Sequence, residues 1–137
     1  MSKIFLDTNI FIYAMDIANP IKQEKTRSLL KSLKDDSTGV ISTQILQEFY
    51  VVCTKKLNLD PLLIKSIMHS LQHYEVVTID PALIEQAVDC SILNRLSFWD
   101  ALVIVSAEIA CCEKIWSEDL NHGQIIRGVK IENPYIN

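Results

Sequence analysis

Glycine and proline are scarce, at three and four in 137 residues, which argues against flexible linkers and disordered tracts. No run approaches the roughly 18 uninterrupted apolar residues of a membrane span. The four cysteines (Cys53, Cys90, Cys111 and Cys112) contain no C-x-x-C pair, and no histidine completes a zinc spacing. They are expected to be small buried or half-buried residues in a reducing compartment. Histidine is equally sparse. His69 and His73 stand four apart but lack the H-E-x-x-H pattern, so a surface helix face is expected. Nor is there an excess of base: 17 acids face 13 bases, for a net charge of −4, which counts against a strong electrostatic grip on nucleic acid. Met1-Ser2-Lys3 leads into a strand-like run with no signal-peptide pattern, so a cytoplasmic location is expected.

What is present is enough apolar residue, 49%, for one core, and the expectation is a single domain over residues 1–137. Short Ile- and Val-rich runs at 3–6, 39–42, 76–79, 114–117 and 128–132 read as buried strands. Longer helical stretches alternate with them, which is the pattern of a parallel α/β fold. Asn19-Pro20, Asp60-Pro61 and Asp80-Pro81 each put a capping side chain before a proline at the first helical position. Thr43 is expected to cap a third helix. The stretch 98–112 is apolar almost all round and should be the most buried helix. Gly123 and Gly128 punctuate the approach to the last strand.

Four acids hold the functional signal. Asp7 closes the first strand, and Asp119 follows the fourth. Glu48 lies about one turn into the helix after the second, and Asp100 opens the 98–112 helix. In a parallel sheet, strand C-termini and the helix N-termini that follow share one edge, where ligands bind. A helix of roughly 20 Å running antiparallel to the strand it feeds returns Asp100 to that same edge. The four can therefore converge although 41, 52 and 19 residues separate them. Each has a plainer reading. Asp7 can be a helix cap, Asp100 fits the capping box Ser97-Phe98-Trp99-Asp100, Glu48 can be a solvated helix residue and Asp119 a turn acid. Four carboxylates in one place repel unless a hard cation such as Mg²⁺ or Mn²⁺ lies between them. Such a cluster at a sheet edge suggests a phosphodiester-cutting enzyme.

The segments around these acids resemble the PIN-domain family, and within it the VapC-type toxins of bacterial toxin–antitoxin systems. Phe5-Leu6-Asp7-Thr8-Asn9-Ile10 is similar to the family's first motif, and Ile45-Leu46-Gln47-Glu48-Phe49 to the second. Ser97-Phe98-Trp99-Asp100-Ala101 is similar to the third, and Trp116-Ser117-Glu118-Asp119-Leu120, followed by His122-Gly123, to the fourth. The resemblance covers nearly the whole chain. It implies a three-layer α/β/α sandwich around a mainly parallel sheet of about five strands. It also implies metal-dependent endoribonuclease activity, frequent homodimers and inhibition by an antitoxin protein. By position, Asp7, Glu48, Asp100 and Asp119 would be the catalytic, metal-holding acids, with Asn9, Thr8 and Ser117 in support.

Grip on RNA has to come from elsewhere. Lys22, Lys25, Arg27 and Lys31, together with Lys55-Lys56, are candidates for phosphate contact. Phe11, Tyr13 and Trp99 are candidates for base stacking, and packing is the alternative for all of them. Three other readings compete. A haloacid-dehalogenase-type phosphohydrolase also begins with a strand ending in Asp, but needs a second Asp where this chain has Asn9. A housekeeping RNA-processing nuclease would use the same acids without an antitoxin. A non-catalytic PIN-like binding module would have no need of an intact tetrad.

Overall fold

The computed structural model describes residues 2–136, so Met1 and Asn137 of the expected 1–137 unit lie outside the described residues. The elements run β1 (Ser2–Leu6), α1 (Thr8–Met15), α2 (Pro20–Asp36), β2 (Ser37–Ser42), α3 (Thr43–Lys55), α4 (Pro61–Leu71), β3 (Glu75–Val77), α5 (Pro81–Asn94), α6 (Phe98–Ile109), β4 (Lys114–Trp116), β5 (Ile125–Ile126) and β6 (Val129–Glu132). They build one six-stranded sheet in the order β3-β2-β1-β4-β6-β5, parallel except for β5.

The order explains the layers. From β1 the chain steps outward to β2 and β3, then reverses to β4 on the other side of β1. Right-handed crossovers in opposite directions put their helices on opposite faces. Hence α1–α4 cover one face, and α5 with α6 the other. The central strands are buried on both sides: the consecutive Phe5 and Leu6 have no exposed surface, nor do Val40 and Ile41. In α6 every residue from Ala101 to Ala107 is buried, so this is the core helix that the all-round apolar pattern indicates. Gly39 in β2 lies against Tyr74, whose ring would come within 2.6 Å of any added Cβ, so only glycine lets that ring lie on the strand.

The caps at Asp60 and Asp80 form as expected, accepting from the Leu62 and Leu83 N–H groups at 3.1 and 2.9 Å. Three sequence expectations need correction. Ser42, not Thr43, is the N-cap of α3, and the Thr43 hydroxyl instead accepts from the Ile79 N–H at 3.3 Å, bracing the end of β3. The sheet gains a sixth strand, β5, joined to β6 through Arg127 and Gly128 at φ 51° and 78°. Two left-handed residues match the twist of a two-residue hairpin. Arginine is an unusual occupant, and it is held by Glu108 at 2.8 Å and Gln86 at 3.2 Å. Cys111 is exposed rather than buried, unlike the other three cysteines. Among the described residues, no single helix is long and apolar enough to cross a membrane.

Candidate functional site

The reversal of chain direction falls between β1 and β4, which pair side by side. Such a switch point opens a crevice at the strand C-termini. Asp7 leaves β1 at this crevice, and Ser117 and Asp119 follow β4 there. A cavity of about 770 Å³ opens at this point, and Asp7, Glu48, Asp100 and Asp119 all line it. Four acids from four segments thus share one cavity wall.

Hydrogen bonds set their placement. Asp7 is the N-cap of α1 and accepts from the Thr8 N–H at 2.8 Å. The buried Ser117 hydroxyl donates to the other Asp7 oxygen at 2.7 Å, while its own oxygen accepts from the N–H groups of Asp119 (3.2 Å) and Leu120 (3.4 Å). One serine therefore fastens the end of β1 to the turn after β4. The Thr8 hydroxyl donates to Glu48 at 2.6 Å, and Asn9 donates to Asp119 at 3.0 Å. Asp100 lies in the first turn of α6, where its N–H donates to Ser97 Oγ at 3.1 Å. The capping and cavity readings of Asp7 and Asp100 are therefore compatible. Burial pushes the Asp7 carboxyl up to about 6, with Glu48 and Asp119 adding to the rise and the bonds from Ser117 and Thr8 opposing it.

Glu118 is not among the cavity residues. It takes hydrogen bonds from Tyr13 and Lys22, and the Lys22 ammonium lies 4.3 Å from the Tyr13 ring centre. Burial pushes the Glu118 carboxyl up, but those bonds outweigh it and hold the group below its usual range.

The proposed gripping residues separate. Lys22 is committed to Glu118, while Lys25 and Arg27 donate to the carbonyls of Tyr135 and Ala14. Lys56 lines the acidic cavity. Phe11 is buried in the core; Tyr13 and Trp99 line the cavity, and Trp99 is 62% exposed. Sequence reasoning gave Gln44 no role. It is 5% exposed and donates to the Trp99 carbonyl at 3.2 Å, tying α3 to the start of α6. Its spacing of four before Glu48 was the available signal.

Among the described residues, no three His, Cys, Asp or Glu side chains stand close enough together to form a ligand set. The donor chemistry nevertheless suits a hard divalent cation: carboxylate oxygens, plus the buried amide oxygens of Asn9 and Gln44 that lack hydrogen-bond partners.

A family model for the PIN domain matches residues 4–127. A toxin–antitoxin complex from Klebsiella pneumoniae superposes with a TM-score of 0.70, at 19% identity, over 96% of this chain and 98% of that one. DNA-bound VapBC from Salmonella typhimurium gives 0.69 at 21% identity, over 96% and 98%. The sarcin–ricin-loop-cleaving toxin VapC20 of Mycobacterium tuberculosis gives 0.66 at 17% identity, over 85% and 91%. No curated protein matches the sequence. The matched model spans all four acid-bearing segments, and the chain belongs to the PIN-domain family.

Proposed function

We propose that this protein is a metal-dependent endoribonuclease, the toxin of a toxin–antitoxin pair, and that residues 1–137 work as one PIN-like nuclease domain. The observation that carries the reading is the convergence of Asp7, Glu48, Asp100 and Asp119 on one cavity at the switch point of a PIN fold. Support for the toxin role comes from the solved structures of similar fold, which are a VapC toxin, a VapBC complex and a toxin–antitoxin complex.

The four acids would hold Mg²⁺ or Mn²⁺, which when bound supplies a deprotonated water and neutralises charge on the phosphoryl oxygens. The chain's own groups prepare the place. Ser117 fixes Asp7, Thr8 fixes Glu48, and Asn9 fixes Asp119. The N-termini of α1 and α6 add partial positive charge where a phosphate would approach. The apolar side chains of Ile12, Val51 and Val103 limit water at the cavity wall.

A cytoplasmic location and inhibition by an antitoxin protein belong to the same reading. So does a homodimer. Helix α5 exposes Ile84, Val88 and Ile92 at four-residue spacing, an apolar stripe suited to a second copy. The test is RNA cleavage with Mg²⁺ or Mn²⁺, abolished by EDTA, together with growth arrest on expression that Asp7→Ala relieves. Cleavage that survives exhaustive chelation overturns the metal mechanism. A soluble Asp7→Ala protein that still arrests growth overturns the toxin assignment at this site.

A further inference from the structure

The acidic cavity has a second character that the tetrad does not use. Beyond Glu48, α3 presents Val51 and Val52, and Lys56 follows at its C-cap, two turns and about 12 Å from Glu48. Lys56 is the one cation among the residues lining the cavity, and no ion pair engages it among the described residues. Trp99 stands on the same cavity and is 62% exposed, an unusual state for so large an apolar side chain. It is held there: Gln44 anchors its carbonyl, and the Phe98 ring meets it edge-on with centres 5.2 Å apart. A fixed aromatic face, an apolar wall and a single free ammonium, all beside an acidic centre, describe a receptor for a nucleotide. The base would take the ring and a phosphate the ammonium.

We infer that Trp99 and Lys56 form a nucleotide-holding subsite, in which Trp99 stacks a base flanking the cut and Lys56 contacts a neighbouring phosphate. The inference rests on the nuclease reading of the acids. A base within a duplex is already stacked on its neighbours, so the subsite selects RNA whose base at that position is unstacked. Binding there depends on one stacked ring and one cation rather than on a broad basic surface, which a chain of net charge −4 lacks.

The test uses a fluorescein-labelled single-stranded RNA dodecamer of mixed sequence, the same sequence as a duplex, and Mn²⁺ for cleavage. Single-stranded RNA is expected to quench tryptophan fluorescence in the wild type and not in Trp99→Leu. Affinity for the single strand should fall about ten-fold in Trp99→Leu and recover largely in Trp99→Phe. In cleavage, KM should rise by a similar factor with kcat within a few-fold. Lys56→Gln should lower affinity and reduce the slope of log affinity against log salt by about one. If Trp99→Leu keeps single-strand affinity, quenching and KM while the wild type cleaves, the subsite is refuted and the nuclease reading stands. If Trp99→Leu alters oligomeric state and not KM, the ring packs against a second copy and the subsite is refuted. If wild type neither binds nor cleaves the dodecamer, the nuclease reading falls and the subsite falls with it.

Discussion

Replacing Asp7 by Asn should make the metal-free protein more stable and inactive at once. Burial, helped by Glu48 and Asp119, raises the Asp7 carboxyl from its ordinary 3.8 to about 6. Its folded pKa therefore exceeds its unfolded one, and folding favours the protonated form. The full contribution is present below pH 4 and is lost as pH rises through about 6. Two units correspond to about 3 kcal/mol of penalty at neutral pH. Asp7 keeps some accessible surface, and solvent screening takes back part of that figure. Asn also cannot accept from both Thr8 and Ser117, which costs about 1 kcal/mol. The net expectation is about 1–2 kcal/mol of stabilisation at pH 7.5, or roughly 4–8 °C in Tm for a chain of this size. At pH 4 the gain should vanish or change sign. Thermal melts of both proteins in EDTA, from pH 4 to pH 8, measure it. Adding Mn²⁺ should raise Tm of the wild type and leave the variant unmoved. Parallel curves for the two proteins across the whole pH range would refute the reasoning, because Asp7 would then titrate alike folded and unfolded.

Two further outcomes follow from the hydrogen bonds. Asp119→Asn should cut Mn²⁺ affinity and RNA cleavage by orders of magnitude, whereas Glu118→Gln, lying outside the cavity on Lys22 and Tyr13, should stay within a few-fold; parallel cleavage assays compare them, and the reverse ranking would mean the wrong acid has been assigned. Ser117→Ala removes the donor to Asp7 and the acceptor for two backbone N–H groups. It should cost about 1–3 kcal/mol in urea unfolding and lower cleavage at least ten-fold, while an unchanged midpoint would show that water replaces the hydroxyl.

The sequence shows the acids because each occupies a position that chain direction alone dictates, after a strand or within the first two turns of a helix. The same logic returns Asp100 to the sheet edge without knowledge of any contact. What it hides depends on partners distant in sequence. Lys22 and Glu118 are 96 residues apart, so the helix bearing Lys22 reads as a solvated basic face until the fold joins them. Gln44 looks like any polar helix residue, because burial of an amide leaves no trace in composition. Thr43 and Ser42 both read as good caps, yet Ser42 holds the N-cap position without a side-chain cap bond and the Thr43 hydroxyl goes to Ile79 instead. Strand β5 is two residues long, below the length at which alternation means anything, and its turn carries arginine where Asn or Gly would be the signal.

The bond from Ser117 to Asp7 also bears on when the acidic cavity is completed during synthesis. Strand β1 is made first, yet its Asp7 is fixed by a hydroxyl made 110 residues later, and Asp119 comes two residues after that. A ribosome must release the chain through Trp116 before β4 can take its place beside β1 and close the cavity. Shorter nascent chains carry three of the acids but lack the fourth and the serine that fastens the first. On the nuclease reading proposed above, a nascent chain therefore gains its complete acid set only once the segment after β4 has folded against β1.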